Sequence, residues 1–248
     1  MDGMPAFSDP SDLARAVQWP LPPGGWLLAE SGADSNHGLR PGPRSGLKLA
    51  SHPLRLGVMA SGNGSNFEAL VQACAQPGLP AQVESLVVNN PGCGASQRAE
   101  RLGLGVTCLN HRSFTSRDSL DAALVEHFQA LEVDLVVMAG WMRIVTSRLI
   151  RAYPERLVNI HPSLLPSFRG VDAVGQALAA GVRLSGCTAH LVSEEVDAGR
   201  ILAQAAVPVL SDDDHGSLAR RIQAQEHRIL PLGVALAAER LGWLHCQP

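Results

Sequence analysis

The sequence predicts an α/β fold in which one open, mainly parallel β-sheet carries helices on both faces. Three observations lead there. From Leu54 onward, short apolar runs alternate with amphipathic segments of helical length, the pattern of right-handed βαβ units. Apolar residues make up 46% of the 248-residue chain, enough for the full core of one large domain. Residues 1–54 differ: they hold eight Pro and seven Gly and have no sustained apolar period. That composition predicts a disordered extension, leaving residues 55–248 as a single folded domain.

The strands expected in order are 54–60, 83–89, 106–109, 133–139, 157–160, 188–193 and 201–209, each short, apolar and bounded by turn residues. Helical spacing appears between the first five, over 67–75, 96–102, 119–131 and 146–153. The last two strands are joined by only a short loop, so at least one pairing near the end of the sheet is expected to be antiparallel. A final helix over 217–240 turns Leu218, Ile222, Ile229 and Leu232 towards the core, with a bend expected at Pro231. No internal repeat interrupts this scheme.

Charge and composition exclude several classes of partner. A formal charge of −3 provides no basic surface for a phosphate backbone, so stable binding of long nucleic acid is not expected. No apolar run approaches the roughly 20 residues that cross a bilayer, and the start MDGMPAFSDP lacks the features of a signal peptide, so a cytoplasmic protein is expected. The five cysteines, Cys74, Cys93, Cys108, Cys187 and Cys246, are widely spaced without a C-x-x-C pair. They read as reduced thiols, mostly in the core, and no metal-ligand cluster is visible. Of the 20 basic residues only Lys48 is a lysine, and it precedes the domain. Any phosphate must then be held by backbone N–H groups and arginine.

In an open parallel sheet, ligands bind beyond the carboxyl ends of the strands, so chemistry is sought in the loops that follow them. The first, Ser61-Gly62-Asn63-Gly64-Ser65-Asn66, opens a helix whose free N–H groups favour a phosphate. A dinucleotide fingerprint would need glycine where Phe67 stands and a Walker loop would need lysine, so a nucleoside monophosphate fits better. An ordinary glycine-rich turn capped by Ser65 or Asn66 also fits. The second, Ala139-Gly140-Trp141-Met142-Arg143-Ile144-Val145, is apolar with one positive charge and suits a flat heterocycle, although taken by itself ordinary loop packing explains it better.

The third, Asn159-Ile160-His161-Pro162-Ser163-Leu164-Leu165-Pro166, puts an amide and an imidazole on one face of a strand end. Such a pair suits acyl transfer: one group stabilises an oxyanion while the other moves a proton. The fourth, Ser193-Glu194-Glu195-Val196-Asp197-Ala198-Gly199, offers three carboxylates. Glu194 and Glu195 read as solvated hairpin acids, whereas Asp197 beside its Ala-Gly turn is placed to face His161 and keep it charged.

Taken in order, SGNGSN, AGWMRI, NIHPSLLPSFRG, GCTAHLVSEEVDAGRIL and RIQAQEH resemble the glycinamide ribonucleotide formyltransferases over 54–244. NIHPSLLP with VDAG resembles the wider formyltetrahydrofolate-using group, and SGNGSN with QEH the nucleotide-specific branch. The resemblance implies a Rossmann-like formyltransferase fold and Asn159, His161 and Asp197 as the catalytic triplet. It implies that Gly64, Ser65 and Asn66 hold the substrate phosphate, with Gln223 and Glu226 at the ribose. The folate pocket would comprise Arg117, Met142, Arg143, Ile144, Val145, Asn159, Ser193, Glu194, Glu195, Val196 and Asp197. The chain departs from the family where histidines are common, reading Val171-Asp172-Ala173-Val174-Gly175, and at Trp141, where Phe is common.

The implied activity is transfer of the formyl group of 10-formyltetrahydrofolate, a co-substrate, to the amine of glycinamide ribonucleotide in purine synthesis, without a metal. Its partners are then small-molecule substrates, and the protein a monomer or homodimer. A formyltetrahydrofolate hydrolase would use the same triplet on water, but is expected to carry a folded regulatory domain that residues 1–54 do not supply. A transfer-RNA formyltransferase would need a basic RNA-binding domain. A noncatalytic folate or nucleotide binder would not need the triplet.

Overall fold

The computed structural model of the chain describes residues 52–76 and 79–243. Most of the expected extension, together with Lys48 and Cys246, lies outside these residues. The strands are β1 (Leu54–Ala60), β2 (Ala81–Val88), β3 (Val106–Cys108), β4 (Leu135–Met138), β5 (Leu157–His161), β6 (Leu184–Leu191) and β7 (Ile201–Pro208). They form one sheet in the order β3-β2-β1-β4-β5-β6-β7. The first five are parallel, and β6 runs antiparallel to both β5 and β7.

The helices are α1 (Ser65–Cys74), α2 (Gly94–Arg101), α3 (Arg117–Ala130), α4 (Ser147–Ala152), α5 (Ala173–Ala179) and α6 (His215–Arg240). Capping boxes start the two longest. Ser116 and Ser119 exchange bonds at α3, and Asp214 and Ser217 do so at α6, satisfying N–H groups that a helix start leaves free. Both faces of the sheet are covered, so the central strands are apolar almost throughout. Leu56, Val58, Val137, Val158, Ile160 and Ala189 face a core beneath α1, α2 and α6. Met59, Val136, Met138 and Leu157 face a second core with Leu124 and Phe128 of α3 and Leu149 of α4.

Three expectations change. β6 begins at Leu184 rather than at residue 188, because Ser185 and Gly186 weaken the apolar signal of a segment that backbone pairing with β7 holds regardless. A Cβ on Gly186 would lie 2.0 Å from the Ala205 carbonyl oxygen, so the absence of a side chain there belongs to the pairing. α5 was not anticipated; its start is set by Asp172, which takes a left-handed φ of 55° and accepts a hydrogen bond from Gly175 N–H. The cysteines are less buried than expected. Cys187 is buried, Cys74 and Cys93 are half-buried and Cys108 is exposed.

Strands β1, β2 and β3 step outward in one direction, and the chain then returns to place β4 on the other side of β1. The loops after β1 and β4 therefore diverge, opening a crevice at the carboxyl edge. Helix α6 closes one wall and lies so near β6 that a Cβ on Gly233 would sit 2.6 Å from the Ala189 Cβ. Gly233→Val should force this contact apart and lower the unfolding free energy by about 1–3 kcal/mol, measured by urea denaturation. An unchanged midpoint would contradict the contact.

Candidate active site

The crevice holds a cavity of about 680 Å³, a size suited to small-molecule ligands. At one end lies the loop after β1. Gly64 adopts a left-handed φ of 78°, and a Cβ there would come within 2.6 Å of Ala95 at the start of α2. Ala95 N–H donates to the Gly62 carbonyl at 3.0 Å, bracing the loop from behind. No side chain caps α1, so neither Ser65 nor Asn66 plays the capping role that an ordinary turn would give it. Asn66 Nδ2 instead donates to Glu226 Oε2 of α6 at 2.8 Å on the cavity wall, with Gln223 one helical turn before it.

The loop after β4 forms the opposite wall and is anchored at both ends. Met142 N–H donates to Ser61 Oγ at 2.8 Å, and Thr146 N–H donates to the carboxylate of Asp121, a residue only 2% exposed. Between the anchors, Met142 and Ile144 are 84% and 54% exposed, an apolar surface on the cavity rim. Arg143 Nε is buried without a hydrogen-bond partner in the same wall. Trp141 is buried in the second core and also borders the cavity.

The end of β5 forms the floor. Val158 and Ile160 point towards α6, so the strand's alternation turns Asn159 and His161 to the opposite face. The loop after β6 folds back over this face through a turn tight enough that a Cβ on Gly199 would lie 1.7 Å from the Leu191 oxygen. Asp197 Oδ2 thereby comes 3.3 Å from His161 Nδ1 and accepts from Gly170 N–H at 2.8 Å. The other ring nitrogen, His161 Nε2, donates to the Phe168 carbonyl at 2.8 Å. Both ring nitrogens thus face oxygen acceptors, and only the doubly protonated imidazolium can donate to both.

The structure adds a residue that sequence reasoning missed. His190, 2% exposed, stands directly across from Asn159 in the β5–β6 register. Its Nδ1–H donates to the Leu191 carbonyl at 2.9 Å, and its Nε2 lies 3.1 Å from Asn159 Nδ2. Asp197 Oδ1 lies 3.6 Å from the same Nε2, too far for a full hydrogen bond. Burial pushes the Asp197 carboxyl up, but His190, the Gly170 N–H and the nearby His161 outweigh it and hold the group below its ordinary value. The signal for His190 was the antiparallel pairing itself, which puts Thr188 and His190 on the face of Asn159 and His161.

Of the other expected residues, Ser193, Glu194 and Val196 border the cavity, whereas Arg117 and Glu195 do not. Arg117 is an exposed residue in the first turn of α3, held away from the crevice by that helix. Glu195 points out to Arg169 at 2.6 Å, and Glu194 reaches Arg151 at 3.4 Å. Asp172, within the Val171–Gly175 stretch, pairs with His215 of α6 at 2.9 Å on the rim. Among the described residues, no group of three or more His, Cys, Asp or Glu is arranged to hold a metal ion. No helix there is long and apolar enough to cross a membrane.

The formyl transferase family model matches residues 54–234. The phosphoribosylglycinamide formyltransferase of Bacillus subtilis is 38% identical over 177 residues, covering 71% of this chain and 91% of that protein. The trifunctional purine biosynthetic protein adenosine-3 of Drosophila melanogaster is 43% identical over 190 residues, covering 76% of this chain. The match spans only 14% of that larger protein's length, and 18% of its human counterpart. Among solved structures, glycinamide ribonucleotide transformylase 1 from Symbiobacterium toebii superposes with a TM-score of 0.75 at 43% identity, covering 79% of this chain and 93% of that one. The phosphoribosylglycinamide formyltransferase from Bacillus halodurans gives 0.73 at 37% identity, covering 78% and 100%.

Burial lifts the Glu226 carboxyl above its ordinary value, opposed only by the Asn66 hydrogen bond. A carboxyl raised in the folded state keeps its proton longer there than in the unfolded chain. Its contribution to stability is then fullest below the unfolded value and declines as pH rises through the folded one. Glu226→Gln removes that decline. The variant should melt higher than the native protein at pH 8 and lose the advantage near pH 4 in thermal unfolding; a pH-independent difference would contradict the assignment.

Proposed function

The chain belongs to the formyl transferase family, and from that premise we propose that it transfers the formyl group of 10-formyltetrahydrofolate to the amine of glycinamide ribonucleotide, a step of purine biosynthesis. One observation carries this reading: Asn159, His161 and Asp197 meet on the floor of a cavity whose two ends differ in chemistry. At one end, the uncapped start of α1 and the Gly64 turn offer N–H groups to a phosphate, while Glu226 and Gln223 lie within reach of ribose hydroxyls. At the other, the apolar loop anchored by Ser61 and Asp121 offers backbone polar groups and a flat apolar surface to a pteridine. The formyl carbon and the amine then meet above β5.

The amine lone pair attacks the formyl carbon, and the carbonyl electrons move to oxygen. Asn159 Nδ2–H and the His161 imidazolium donate to that oxyanion as its charge develops. Collapse of the tetrahedral species expels folate N10, which must gain a proton, and the attacking nitrogen must lose one. The His161–Asp197 pair is the group positioned to mediate that exchange, so the enzyme needs no covalent intermediate and no metal. 10-Formyltetrahydrofolate is consumed as a co-substrate and leaves as tetrahydrofolate. Residues 55–248 would act as the catalytic unit, in the cytosol, as a monomer or homodimer, without nucleic acid or membrane.

Hydrolysis of the folate would use the same floor with water as acceptor. The braced phosphate loop and the Asn66–Glu226 bond favour a nucleotide acceptor, because a hydrolase has no use for either. An assay with glycinamide ribonucleotide should therefore show formylated product forming far faster than free formate is released; formate as the main product would overturn the assignment. Asn159→Ala should lower kcat by about 10²–10³-fold through loss of one oxyanion donor, with dissociation constants for both substrates nearly unchanged.

A further inference from the structure

His161 is held by two oxygens, and only one of them belongs to a side chain. The other is the carbonyl of Phe168, which accepts from Nε2 at 2.8 Å, a distance typical of a full hydrogen bond. Phe168 presents that carbonyl from a left-handed backbone with φ of 56°. Bulky aromatic residues seldom adopt this conformation, and where they do the surrounding structure enforces it. Gly170 two residues on is also left-handed, at φ 78°, and its N–H donates to Asp197 Oδ2. The segment 168–170 therefore touches both members of the pair, offering an acceptor to the histidine and a donor to the aspartate. Outside this backbone contact, the Phe168 side chain borders neither the cavity nor the two cores.

The two bonds to His161 are unequal. The Nδ1 contact with Asp197, at 3.3 Å, is long for a charge-assisted hydrogen bond, which ordinarily falls near 2.7–2.9 Å. The Nε2 proton is fully engaged, whereas the Nδ1 proton keeps free capacity. Resting on the reading of His161 as the proton-carrying residue, we infer that Phe168 is a positioning residue acting through its main chain. Its left-handed turn aims the carbonyl at Nε2, locks the ring, and leaves Nδ1 as the atom that exchanges its proton with the reacting groups. Phe168 itself contacts no substrate.

The test is a substitution series at Phe168 in the full chain. If the carbonyl's direction matters, activity should follow tolerance for the left-handed conformation and not side-chain size. Phe168→Gly and Phe168→Asn adopt the turn readily and should keep kcat within about 3-fold of native. Phe168→Val, similar to Asn in size but β-branched, should lower kcat by roughly 10²-fold or more, the scale of lost general acid–base help. Phe168→Ala should fall between, which preserves the ordering if the valine variant does not fold. KM for both substrates should move little.

Proton NMR supplies an independent readout. The engaged Nε2–H of His161 should give a slowly exchanging downfield resonance in the native, Gly and Asn proteins that disappears in the Val variant. Equal activity for Asn and Val, or an Nε2–H resonance unchanged throughout, would overturn the inference. If His161→Ala itself retained formyl transfer, the broader catalytic reading would fail first; a dead His161→Ala beside a flat Phe168 series would sink this inference alone.

Discussion

Where β6 turns antiparallel beside β5, Asn159 pairs with His190 and His161 with Thr188, so side chains from two strands share one patch of sheet. Among the described residues, no helix covers that patch. Loops do so instead: residues 168–170 from one side and 193–197 from the other, each supplying polar groups to a buried imidazole and carboxylate. A parallel β6 would need a crossover connection, and the chain could not return through the Gly199 turn to set Asp197 against His161. The β5–β6 reversal is therefore the constraint on which the floor of the cavity depends.

Charge compensation around the cavity differs with its position. Asp197 is buried to 10% side-chain exposure, yet its surroundings, with the His161 ring 3.3 Å away, hold its carboxyl below its ordinary value. Burial holds the Glu226 carboxyl above its ordinary value, and among the described residues only the Asn66 amide donates to it. A carboxylate held at such a cost gains most when ligand hydroxyls donate to it. On the proposed function, the two acids divide between proton handling at the floor and ligand recognition at the α1–α6 end.

Much of this was legible in the sequence. All seven strands lie at or near their expected places, because an apolar run bounded by turn residues is a strong signal when both sheet faces are buried. Asn159 and His161 could be paired from strand alternation alone, and the Gly-rich loop from its place before a helix. Three features were not readable. The first half of β6 is carried by backbone pairing through Ser185 and Gly186, which leave little hydrophobic trace. α5 depends on Asp172 adopting a left-handed conformation that no spacing rule predicts. His190 looked like one residue of an apolar strand, and only the register with β5 gives it Asn159 as a neighbour. Arg117 shows the reverse limit: resemblance assigned it to the pocket, and in this structure α3 holds it outside.

The central claim is that His161 and Asp197 act as one unit, and a double-mutant cycle on kcat tests it most directly. Asp197→Asn keeps the side chain's size while removing its charge, and His161→Ala removes the imidazole. Each single change should lower kcat by roughly 10²–10⁴-fold while both substrates bind nearly as before. The double variant should be little worse than either single one, because the second change removes a group whose partner is already gone. Near-native turnover in Asp197→Asn, or losses that multiply in the double variant, would show that the two residues work independently and contradict the account.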